Sequence, residues 1–145
     1  MRYHQGVFKP TRPHLYIGNA DRIIFRSSWE LRFFKWIDTS PNVLSWSSEE
    51  LAVPYRSPLD DEIHRYFPDV IMKVQTKTGP QVYMIEVKPD AQTRLPKGSR
   101  NTPRLLREVQ AYAVNQAKWR AADHFCQDQG WLFKIMTEHD LGLTV

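Results

Sequence analysis

Between Arg65 and Pro89 the chain carries two runs of alternating apolar residues separated by the turn Lys77-Thr78-Gly79-Pro80. Val70, Met72 and Val74 share one face of a strand predicted over 66–75, and Tyr83, Ile85 and Val87 share one face of a strand predicted over 81–88. A period of two that resumes after so short a gap predicts an antiparallel hairpin. Charge gathers at its open end, where Asp69 follows Pro68 and Glu86-Val87-Lys88 closes the second strand. Folding about residue 78 predicts Asp69 opposite Val87 and Glu86 opposite Val70, so the two carboxylates become near neighbours. Strand alternation puts Glu86 and Lys88 on one face, with Val87 pointing away.

Acids that converge beside Phe67, Ile71 and Ile85 repel one another and lose solvation, and a cation relieves both costs. Oxygen ligands favour a hard divalent ion, Mg2+ or Mn2+, over zinc, and the backbone carbonyl of Val87 offers a further oxygen. A metal held by Asp69 and Glu86 polarises a phosphoryl oxygen and lowers the pKa of bound water, while Lys88 orients that water or offsets charge on the phosphate. The plainer alternative makes Glu86 and Lys88 exposed strand residues and Asp69 a turn residue.

Elsewhere, Ser27 with Glu30 forms a capping-box pattern ahead of Trp29, Phe33, Phe34, Trp36 and Ile37, which predicts a buried helix over 28–38 ending before Pro41. Residues 43–57 read as extended, with Leu44 and Trp46 alternating with serines, Leu51, Val53 and Tyr55 on one face, and Pro54 marking an edge. Residues 89–103 contain three prolines and Gly98, and predict a long basic loop bearing Arg94, Lys97 and Arg100. A long helix follows to about Gln129 with Leu106, Val109, Ala113, Gln116 and Arg120 at helical spacing, Gly130 as its stop, and a last strand over 131–137. Residues 1–21, with Pro10, Pro13 and Gly18 among Arg2, Lys9 and Arg12, predict a basic extended arm on the surface without a regular element. The order gives an α/β fold, a mixed central sheet flanked by helices.

At 145 residues the chain suits a single domain over 1–145. Twenty Lys plus Arg against 16 Asp plus Glu give a net charge of +4, a surface mildly attractive to polyanions. Cys126 is the only cysteine, which excludes an internal disulfide and a multi-cysteine zinc site; His124 beside it is too little to change that. With no apolar run of membrane-spanning length and no secretory pattern at the start, the expected compartment is the cytoplasm, or a particle assembled there.

Pro68-Asp69, sixteen residues, and then Glu86-Val87-Lys88 closing a strand resembles the PD-(D/E)xK nuclease superfamily, with a restriction-endonuclease-like core. Arg26-Ser27-Ser28-Trp29-Glu30-Leu31, Pro41-Asn42-Val43, His64-Arg65-Tyr66-Phe67-Pro68-Asp69, Ile85-Glu86-Val87-Lys88-Pro89 and Ala113-Val114-Asn115-Gln116-Ala117-Lys118-Trp119 are similar, more narrowly, to the tailed-phage head-completion nucleases, relatives of the endonuclease subunit of heteromeric transposases. The resemblance implies a magnesium-dependent DNA endonuclease that trims packaged DNA ends during head completion. It places the protein in host cytoplasm, or with the virion, beside portal or neck proteins. It also implies that Glu30 completes the acidic cluster, although a capping role explains Glu30 equally well. Glu50 is a further acid near the site or a solvated one, His64 a phosphate contact or a structural residue, and Gln116 a site residue or a buried amide. Beside such a site, Arg94, Lys97 and Arg100 read as DNA contacts. Two rivals stand: a head or neck component that keeps the fold and binds DNA or portal without cutting, and a transposase-like or repair endonuclease.

Overall fold

In a computed structural model, which describes residues 5–98 and 100–142, the hairpin forms the middle of a four-stranded sheet. In chain order the elements are β1 (Gly6–Phe8), β2 (Ile23–Phe25), α1 (Ser28–Thr39), β3 (Val43–Ser47), β4 (Val53–Arg56), β5 (Ile63–Tyr66), β6 (Val70–Thr76), β7 (Gly79–Val87), α2 (Pro103–Gln129) and β8 (Leu132–Met136). The sheet runs β3-β6-β7-β8, antiparallel except for the parallel β7–β8 pair. A parallel pair needs a crossover, and the 27-residue α2 supplies it. The architecture is the α/β, restriction-endonuclease-like mixed sheet expected.

Strand parity divides the interior into two cores. Val70, Met72, Ile85 and Val87 face Phe33, Phe34 and Ile37 of α1, together with Phe8, Tyr16 and Trp46. Met84, with Ile71 and Phe133, faces the other way onto Trp119, Ala122 and Cys126 of α2 and onto β4 and β5. Burying side chains the size of Phe33, Phe34 and Ile37 stabilises the fold by about 1.5–3 kcal/mol each. Ser27 caps α1 by accepting from the Glu30 N–H at 3.2 Å, and Gly130 ends α2 in the left-handed region at φ 75°.

The register differs from the sequence expectation by one residue. The ladder pairs Val70 with Ile85, Met72 with Tyr83 and Thr76 with Gly79, so the turn consists of Lys77 and Thr78 alone. Gly79, at φ 117°, takes a conformation that suits glycine, and the Thr76 hydroxyl donates to its carbonyl at 2.6 Å. One step beyond Val70–Ile85, Asp69 comes opposite Glu86 rather than Val87. Opposed residues share a face, so Val70, Met72 and Val74 can meet Tyr83, Ile85 and Val87 over one core in this register but not in one shifted by a single residue.

Other expectations also change. The extended segment 43–57 is two strands in different sheets, broken between Ser47 and Val53, where Glu49 adopts φ 55°. The strand expected over 66–75 divides at Phe67-Pro68-Asp69, leaving Tyr66 in β5, paired with β4. On α2 the buried face begins at Val114, whereas Leu106 and Val109 are exposed. The residues expected to form an arm without regular structure include β1 and a 3-10 turn at Pro13–Leu15, with Phe8 and Tyr16 buried; Arg2 lies outside the described residues. Arg12 donates to the carbonyls of Ile37, Asp38 and Ser40, closing the C-terminal end of α1, and so is committed to the fold. Cys126 is a buried thiol, 3.8 Å from the Met84 sulfur.

Candidate active site

The break at Pro68, which has no N–H to give a ladder, frees Asp69 from strand pairing. Its Oδ2 accepts instead from the Val87 N–H at 2.8 Å. Glu86 is buried, and Lys88 places its Nζ 4.0 Å from Glu86 Oε1, so the structure brings Asp69, Glu86 and Lys88 together at the open end of the hairpin. Phe67, expected beside them, is exposed, with the Arg65 guanidinium 5.7 Å over its ring.

Burial, then the facing charge of Asp69, pushes the Glu86 carboxyl well above the ordinary carboxylate range. Burial likewise raises Asp69, against the lowering effect of the Val87 N–H and of Lys88. Glu30 is raised by burial and then by Asp69. Glu30 thus does two things at once: its N–H bonds the Ser27 cap, and its carboxylate stands against Asp69 while accepting from the Arg26 N–H at 3.5 Å. Three acids that desolvate and repel one another suit an oxygen-liganded divalent cation.

Sequence reasoning missed several residues here. Tyr66 is buried and its hydroxyl donates a very short hydrogen bond to Glu86 Oε2. Burial and the Glu86 charge drive its pKa far upward, so it remains a donor. Lys118 of α2 sits 5.7 Å over the Tyr66 ring and 5.9 Å over the Tyr55 ring, and its charge lowers the pKa of Glu86. Glu49, in its left-handed conformation, raises both Glu30 and Asp69 and pairs with Arg26 at 3.0 Å. Tyr66 and Lys118 lie within the quoted motifs, which was a usable signal; Glu49 had none.

The remaining candidates are placed elsewhere. Glu50, exposed, accepts from the Tyr16 hydroxyl at 3.2 Å and lies over Gly18. His64 pairs with Asp60 at 2.7 Å and tilts against the Tyr55 ring. Gln116 is half-buried on α2, and among the described residues no side-chain hydrogen bond joins it to the acids. Arg94 pairs with Asp90, and Lys97 and Arg100 are exposed on the loop. Asp60, Glu62 and His64 also bring ligand atoms within 4.8 Å of one another, at the exposed turn between β4 and β5 and the start of β5. Their pairing is internal, since Asp60 accepts from both the Glu62 N–H and His64.

A mixed sheet carrying Asp69, Glu86 and Lys88 at the end of its central hairpin is the arrangement of a PD-(D/E)xK protein. The TnsA-like endonuclease N-terminal family matches residues 40–138, and the chain belongs to that family. It is also similar to the head completion nuclease of Enterobacteria phage T4, at 34% identity over 143 residues, which cover 95% of this chain and 93% of that protein. Among the described residues no helix is long and apolar enough to cross a membrane.

Proposed function

We propose that this protein hydrolyses DNA phosphodiester bonds with Mg2+ or Mn2+ and serves phage head completion by trimming packaged DNA ends. The observation that carries this reading is the meeting of Asp69, Glu86 and Lys88 at one point, with both acids raised by burial. Asp69 and Glu86 would hold the ion. Residues in a strand direct their N–H and C=O to the same side, so the Val87 carbonyl faces the side on which its N–H meets Asp69 and suits a third ligand. The bound ion supplies Lewis acidity at a phosphoryl oxygen and a more acidic water. Lys88 contributes an ammonium that orients water or balances charge on the phosphate. Tyr66 fixes one Glu86 oxygen and leaves Oε1 toward Lys88. Glu30 adds negative charge beside Asp69, and Arg94, Lys97 and Arg100 contact the DNA backbone.

Cleavage of linear, nicked and branched DNA should appear with Mg2+ or Mn2+ and vanish with EDTA; undiminished cutting in EDTA would overturn the metal mechanism. Replacing Arg94, Lys97 and Arg100 with Ala should flatten the slope of log affinity against log salt by about 0.9 for each phosphate that is no longer neutralised. An unchanged slope would remove the loop from the DNA interface.

A further inference from the structure

The first half of α2 carries exposed Leu106 and Val109, and beside it the 89–98 loop forms a trough of about 710 Å³. Arg94, Lys97, Arg104 and Arg107 line the trough. Its one acidic lining residue, Glu108, pairs with Arg104 at 3.1 Å. Leu95, Pro96, Ala111 and Tyr112 give it an apolar surface between these cations.

We propose that this trough is a binding track for single-stranded DNA, which leads a tail or displaced strand to the acids. The proposal rests on the nuclease reading above and specifies its substrate. A duplex turns its phosphates outward and encloses its bases, so a concave apolar surface between cations has little in it to meet. A single strand presents phosphates and base faces together, and such strands are held by cations and an aromatic platform in combination. Tyr112 is the aromatic group in this lining.

The track also points at the site. Arg104, Arg107, Ala111 and Asn115 lie on the trough at helical spacing of three or four, and the next member of that series is Lys118. Lys118 stands over Tyr66, which donates to Glu86. From Arg104 to Lys118 the helix rises about 21 Å, room for several nucleotides. At its other side the trough is walled by the loop that leaves β7 directly after Lys88.

The test measures binding by the full chain in EDTA, so that cutting plays no part. A short duplex is presented blunt, with an oligothymidine tail, or with an abasic tail that keeps phosphates and lacks bases. The abasic tail should bind somewhat more tightly than the blunt end through its phosphates, and the oligothymidine tail about tenfold more tightly than the abasic one, the size expected for one base stacked on an aromatic ring. Tyr112→Leu should bring the ratio of oligothymidine-tail to abasic-tail affinity close to one, and Tyr112→Phe should keep it. Should Tyr112→Leu fail to fold, Arg107→Ala, at an exposed helix position, should reduce the ratio of tailed to blunt affinity. Equal affinity for blunt and tailed DNA, full binding of the abasic tail, or an unchanged ratio in folded Tyr112→Leu would each overturn the proposal. Absence of cutting with Mg2+ or Mn2+ would instead overturn the nuclease reading while the binding ratio still stood.

Discussion

The molecule contains two clusters of metal-ligand side chains in opposite surroundings, one exposed and one buried. Asp60, Glu62 and His64 are exposed, their ligand atoms lie within 4.8 Å of one another, and their hydrogen bonds are internal. The Glu62 N–H, then His64, holds the Asp60 carboxyl below its ordinary range. Asp69, Glu86 and Glu30 are instead all pushed upward, each first by burial. Close spacing of ligand atoms therefore does not by itself mark a group that needs a cation. Exposed acids are stabilised by water and by their neighbours, whereas the buried set carries a cost that only a proton or a cation removes.

The largest expected effect breaks that contrast directly. Asp69→Asn, Glu86→Gln and Lys88→Ala should each lower the DNA cleavage rate on the order of 10³-fold while circular dichroism shows the fold retained. Glu62→Gln, in the exposed group, should cut at close to the wild-type rate. Full activity in the first three, or loss in the fourth, would transfer the chemistry to the other group.

A smaller effect is expected at Glu30, because it adds charge beside Asp69 while Lys88 pairs with Glu86. Glu30→Gln keeps the capping geometry at Ser27 but removes a charge beside Asp69. The rate should fall about 10- to 100-fold, as for other residues that support a metal site. A variant that cuts like wild type would leave Glu30 a helix cap alone.

Much of this arrangement was legible because it is periodic. The β6–β7 alternation, the Ser27–Glu30 cap and the Glu86-Val87-Lys88 spacing are local patterns that the physics of strands and helices converts directly into geometry. The register was equally available, since the two apolar sets had to face one core, but counting from the turn centre misplaced it by one residue. β1, β2 and β5 were not legible, because three or four residues do not establish a period and their partners are distant in sequence. Tyr66 and Lys118 lie in segments that carry the family resemblance, but their contacts were not legible, because they meet Glu86 only after β5 and α2 pack on one face of the sheet. Glu49 reaches the cluster through a left-handed backbone that no residue-type rule assigns to glutamate, while Glu50 turns to Tyr16.

The smallest expected effect concerns stability and sharpens the comparison most. A carboxyl whose pKa is raised on folding binds more protons in the native state than in the unfolded one, so ionising it destabilises the native state. For Asp69, Glu86 and Glu30 this contribution is absent below the ordinary carboxylate range, grows as pH rises toward neutrality, and is complete above their raised values. Asp60 has the opposite sign: its folded pKa is lowered, so its contribution is present above the ordinary value and is lost as pH falls through the folded one. In metal-free protein Glu30→Gln should therefore raise the melting temperature at pH 8 and leave it unchanged near pH 4. Asp60→Asn should lower it slightly at pH 8, less so in high salt because the group is exposed, and approach wild type at the acid end. Adding Mg2+ should raise the wild-type melting temperature more at pH 8 than at pH 5, since protons compete for the same oxygens. Identical melting profiles for the two variants would mean that both groups of acids are solvated alike, and would remove the electrostatic reason for placing the cation at Asp69 and Glu86.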